Sequence, residues 1–313
     1  MGFAEDLMGK AAEIEKQAFE IGFGEMGGEM DFGFLPFVDH NHNWDGFMAN
    51  VQGVAGLFAP FTAMPTDDHF EAAMAELRSA MQTLSPGDMM NDPMGGGVGV
   101  PANPYLTMSE VHDLMHVWTG AAADDFQKHF VAPFPAYSHN QFMLATVLHS
   151  GLAAQQVLWN TARTDIMKVA DNTLEALNCI KHADHQRTSM QWTILGAVVA
   201  TISAPEGGAA IVFYTGLSSA FSLAGAKEGQ MKDKEPTGSV DGDTAAAVLR
   251  SMKEAIDTTK AQVAAGDQKI AEVMGQALEA ARTQREHFIA PRPDLDQATP
   301  ATVMSQTFLG KPL

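Results

Sequence analysis

Val117-Trp118-Thr119-Gly120-Ala121-Ala122-Ala123-Asp124-Asp125-Phe126 is the stretch on which the reading of this chain turns. Upstream of it, Leu106, Val111, Met115 and Trp118 recur at spacings that place them on one helix face. Thr107 with Glu110 three residues later has the pattern of a capping box. Downstream, Ala121 to Phe130 resumes a helical pattern. Gly120 tolerates backbone angles closed to other residues, so it is the expected stop between the two helices. Trp118 is then the expected apolar plug of a helical corner.

The segments around the corner extend the helical reading. Phe3, Leu7, Ala11, Ile14 and Ala18 predict an amphipathic helix over 2–20, and the Gly-, Phe- and Met-rich residues 21–37 an irregular segment. Asp39 to Gly46 reads as a polar turn before a helix from Phe47 to Phe58. Thr66 is the expected cap of a helix to about Leu84, with Phe70, Met74, Leu77 and Met81 as its stripe. Residues 86–104 read as a long insertion. Pro133 and Pro135 interrupt the pattern, and a long helix follows from about His139 to about Ala183. A last helix starts at Asp243 or Thr244 and runs to about Phe288. Its seam includes Val248, Met252, Ile256, Thr259, Ile270, Val273 and Ala277.

These readings give an all-α, elongated helical bundle with a Trp-X-Gly hairpin and a long C-terminal helix. Its expected segments are an N-terminal region 1–65, a bundle 66–290 and a loose tail 291–313. Within the bundle lie the hairpin (66–185), an apolar hairpin (192–226) and the last helix (244–288).

The Trp-X-Gly between helical arms, with its small-residue turn and Phe126, resembles the WXG-type helical hairpin proteins of type VII secretion systems. The resemblance extends over about 66–180. Within it, Asn140 to Leu177, including Ala162-Arg163-Thr164-Asp165, looks like the second arm of longer, PPE-like members. It implies a non-enzymatic protein that is secreted or secretion-associated and acts by partner binding or self-assembly. Trp118, Gly120 and Phe126 would form the hairpin corner and part of an export signal. It implies a second copy or a helical protein as partner, and a secretion chaperone or apparatus. The accompanying Tyr-x-x-x-Asp/Glu signal is missing, since Tyr105, Tyr137 and Tyr214 are followed four residues later by Ser109, Gln141 and Ser218. A partner chain would then supply that signal, or the protein would act inside the apparatus.

The composition narrows the classes. Hydrophobic residues make up 46% of 313, enough for a core, and the net charge of -19 argues against nucleic acid as a partner. The same charge argues against docking on an anionic membrane. Residues 1–23 carry Glu5, Asp6, Glu13, Glu15 and Glu20 and lack the pattern of a secretory signal. The expected location is outside the cell or in its envelope without a classical signal peptide, with the cytoplasm as alternative. No cofactor is indicated. Cys179 reads as a small core residue.

Two other readings stay open. Trp192 to Ala226 is the most apolar stretch, broken by Pro205-Glu206-Gly207-Gly208 into two arms. A buried hairpin is the plain reading. The layout is also similar to that of α-helical pore-forming proteins, in which Trp192, Ile194, Ile211, Val212 and Phe213 would enter the bilayer. The first arm is short of the ~20 apolar residues of a membrane span. The third reading is a metalloprotein: His112 and His116, four apart on a helix, could share one metal ion. His112 to Gly120 also looks locally like one copper-binding helix of tyrosinases, with His129, His139 and His149 as further possible ligands. The plain alternative is a polar helix face. His40 and His42 in the polar turn, and the pair His182 and His185, are weaker versions of the same idea. No nucleophile elbow, phosphate loop or dinucleotide fingerprint is present.

Overall fold

Regular apolar spacing is the main determinant of the architecture. In the computed structural model, residues 2–27, 40–85, 111, 117–182, 188–191, 237–240, 242–290, 299–302, 305 and 311–312 are described. The fold is all-α, with several long helices packed together. In chain order these are α1 (Phe3–Gly27), α2 (His40–Gln52), α3 (Val54–Phe58), α4 (Asp68–Leu84), α5 (Ala121–Phe126), α6 (Phe134–Lys181) and α7 (Ala245–Thr283). Four short strands accompany them among the described residues. They are β1 (Trp118–Thr119), β2 (Thr188–Gln191), β3 (Thr237–Val240) and β4 (Lys311–Pro312).

The chain forms two compact units, neither of them a continuous segment. The first comprises Met1–Asp67, Ala154–Ala200 and Glu228–Lys269, and the second Asp68–Ala153, Thr201–Lys227 and Ile270–Leu313. Helices α6 and α7 each contribute to both.

In the first unit, Leu7, Ala11, Ile14 and Ala18 of α1 are fully buried, as their spacing predicts. They share the core with Val54 and Phe58 of α3, Leu158, Ile166 and Leu177 of α6, and Val248, Met252 and Ile256 of α7. Polar ties fasten this core. The Glu15 carboxylate accepts from the Ala55 N–H at 2.9 Å, and Arg163 donates to the Met64 carbonyl at 3.0 Å. The same guanidinium lies 5.7 Å from the centre of the Phe3 ring. At Gly22, a Cβ would come within 2.4 Å of the buried Phe47 ring, so only glycine fits without moving that ring. Strands β2 and β3 pair antiparallel, Thr188 across from Val240 and Gln191 across from Thr237.

In the second unit, Met81 of α4, Phe142, Met143, Ala145 and Val147 of α6, and Ala277 and Phe288 form one buried cluster. Asn140 and Gln141 donate to the carbonyls of His287 and Phe288 at 2.8 and 2.6 Å, fastening the chain just beyond α7.

Several expectations change at element ends. Residues 40–46 belong to α2 rather than to a polar turn, and the expected 47–58 helix is interrupted at Gly53. Helix α1 continues to Gly27, past its expected end. Pro133 and Pro135 do not interrupt α6 but flank its first residue. The first turn lacks intrahelical acceptors for its N–H groups anyway, so proline is tolerated there. The Thr244 hydroxyl accepts from the Ala247 N–H at 3.2 Å, which makes Thr244 the cap of α7. That helix ends at Thr283, earlier than Phe288, in a short 3₁₀ turn over Arg285–His287. The tail is not wholly loose. Thr299 and Thr302 exchange hydrogen bonds in a turn, Ser305 donates to the Thr302 carbonyl at 2.8 Å, and β4 pairs with β1. The linker over 225–243 carries β3.

Candidate functional site

The corner at Trp118 differs from the helical turn that its sequence predicts. Val111 is helical, but the chain at Trp118 and Thr119 is extended as β1. Trp118 therefore does not end a helix, and Gly120 does not close one. Gly120 instead opens α5 with φ 114° and ψ 172°, a region essentially restricted to glycine. Its carbonyl accepts the first α5 bond from the Asp124 N–H at 3.1 Å. Expecting backbone freedom at Gly120 was sound, but the freedom serves a strand-to-helix junction.

From α5 the chain passes into a π-turn over Gln127–Val131, in which the Ala132 N–H donates to the Gln127 carbonyl at 2.9 Å. This turn aligns the aromatic residues. In an α-helix, a four-residue step overshoots a full turn by ~40°. A wider π-turn takes that drift back. Phe126, Phe130 and Phe134 thus stay in contact, with ring centres 4.9 and 5.5 Å apart, and Trp118 joins at 5.8 Å from Phe126. All four side chains are half-buried, whereas Val117 beside them is 61% exposed. Trp118 is thus half-buried against Phe126 rather than sealed in a core. It heads a stack of rings that solvent reaches.

The other candidates fall elsewhere. His112 and His116 lie outside the described residues, as do Trp192, Ile194, Ile211, Val212 and Phe213. The side chains of His40 and His42 and all of His185 do too, while His182 is exposed just after α6. Among the described residues no three His, Cys, Asp or Glu side chains are grouped to hold a metal. Of the histidines offered as further ligands, His129 is exposed in the π-turn, His139 half-buried and His149 buried in α6. Burial holds the His139 pKa below its usual 6.5. Cys179 is half-buried rather than core, and lines a shallow groove with Asp171, Leu174, Glu175, Asn178 and His182, all on or just beyond α6. No described helix is long and apolar enough to cross a membrane.

Ala162-Arg163-Thr164-Asp165 is structural in the first unit. Ala162 and Asp165 are buried, the latter 3.0 Å from Lys168. Nearby, Asp67 accepts from Asn160 and Gln156 at 2.8 and 2.9 Å, and these bonds hold its carboxyl below the usual 3.8.

Sequence reasoning missed both strand pairs. Their partners lie far apart in the chain, and the only local signal was the β-prone Trp-Thr pair itself. Comparison with family models, curated proteins and solved structures returns no match for this chain.

Proposed function

We propose that this is a non-enzymatic helical protein that works by binding another polypeptide at the Trp118 corner. The partner is a helical protein or a further copy of the chain, in the manner that the WXG-type resemblance implies for secretion-associated proteins. One observation supports it above the rest: Trp118 stands half-exposed at the head of four touching aromatic rings. Large rings with few rotatable bonds are the side chains that carry most contact energy at protein interfaces. The test is fractionation of a culture of the native host, with a lysis control, for wild type and Trp118→Ala. Wild type in the medium or envelope with a folded variant retained inside is the expected result. Both confined to the cell interior would sink the reading.

A second reading has its own support. Strands β2 and β3 hold Gln191 and Thr237 side by side, so the apolar stretch between them leaves and rejoins the chain at one place. That suits an α-helical pore-forming protein whose 192–226 hairpin enters a bilayer. Leakage from liposomes that is abolished by Ile211→Asp with Val212→Asp would favour it. Absence of leakage from wild type would end it.

A further inference from the structure

The first unit also carries aromatic rings in the open. Phe19 and Phe23, about one turn apart on α1, are 41% and 62% exposed, and Trp44 of α2 is half-buried beside them. The three rings touch, with centres 6.2 to 6.4 Å apart. They are held from beneath. Trp44 lies 5.7 Å from Phe47, which is buried against Gly22 of α1. One exposed ring is ordinary on a protein surface, but several in contact form a patch for another surface to cover. Rings already fixed by packing lose little freedom when they are covered.

Charge decides what covers them. Glu20 is exposed next to Phe19, Glu25 lies two residues past Phe23, and Asp45 is exposed next to Trp44. The flanking cations Lys16 and Lys181 lie against Glu13 and Glu20, at 3.8 and 3.5 Å. Carboxylates therefore outnumber ammonium groups around the rings, on a chain whose net charge is -19. A second copy would bring the same charge to the patch, and an anionic bilayer would repel it in the same way. A cationic partner is attracted instead, and a guanidinium stacks on an aromatic face while it pairs with a carboxylate. The same unit seats cations on rings internally, Arg163 at Phe3 and Lys260 5.8 Å from the centre of Phe61.

We propose that Phe19, Phe23 and Trp44 form a second contact surface, which takes a basic amphipathic segment of another protein with arginines set among apolar residues. The arginines lie on the ring faces and the carboxylates around them complete the pairing. This surface belongs to the first unit, so it stands or falls apart from the Trp118 corner.

The test measures binding of a labelled synthetic amphipathic peptide of leucine and arginine to the full chain, with circular dichroism to confirm that each variant is folded. Phe23→Ser removes an exposed ring and should weaken binding about tenfold. Phe19→Ser should act in the same direction. The counterpart peptide with glutamate in place of arginine should not bind. Leu278→Ser, at an exposed leucine of the second unit, should leave the affinity unchanged. An affinity unaltered in both Phe23→Ser and Phe19→Ser, or lowered equally by Leu278→Ser, means that net charge alone attracts the peptide and overturns the surface. Equal binding of the glutamate peptide overturns the basic partner. So does self-association of wild type, or its binding to phosphatidylcholine vesicles, that Phe23→Ser abolishes, since the patch then belongs to a second copy or a lipid surface.

Discussion

Within the second unit, the core cluster and the Trp118 corner use aromatic side chains in opposite ways. Phe142 is 1% exposed and packed among Met81, Ala277 and Phe288. Trp118, Phe126, Phe130 and Phe134 touch one another but stay half-exposed. The first arrangement removes a ring from water on all sides, and its yield is stability. The second holds rings in a fixed order against solvent, and leaves part of their apolar area for another surface to cover.

The sharpest way to break this contrast is Phe142→Ala. Loss of a fully buried ring should cost ~3–5 kcal/mol in urea unfolding followed by circular dichroism. A loss below that of Trp118→Ala would reverse the assignment of core and corner. Gly120→Ala comes next. Its backbone angles exclude a Cβ, so a cost of about 1–3 kcal/mol is expected, with altered exchange at Thr119. No cost would mean that the strand-to-helix junction is not formed as described. Trp118→Ala should cost less than Phe142→Ala, about 2 kcal/mol, since Trp118 is only partly buried. A loss comparable to that of Phe142→Ala would restore the buried plug.

The smallest effect is expected at His139, in the first turns of α6. Burial lowers its folded pKa, so the unfolded chain binds the proton more readily. Stability should fall as pH drops from 6.5 through that lowered value, and His139→Gln should flatten this part of the profile. An unaltered pH slope would show that the imidazole is as well hydrated folded as unfolded.

The helices were largely legible because their signals are local. The Leu7–Ala18 stripe, the α7 seam and the Thr244 cap depend on neighbours within a few residues, and each is seen. Misreadings arose where composition spoke against the winning structure. His, Asn, Asp and Gly at 40–46 suit a turn, yet they are helical in α2. The proline pair reads as a break, although both residues sit where a helix start accepts them. The corner was legible in its residues but not in its shape. Its strand partner is β4, near the other end of the chain, and no spacing pattern reports such a pairing. The β2–β3 ladder escaped notice for the same reason.

That ladder brings Gln191 and Thr237, the two ends of a long stretch of chain, to one place. The two ends face each other across a single pair, the geometry that a two-residue hairpin turn closes. An Asn-Gly turn would join Gln191 to Thr237 across the pair they already form.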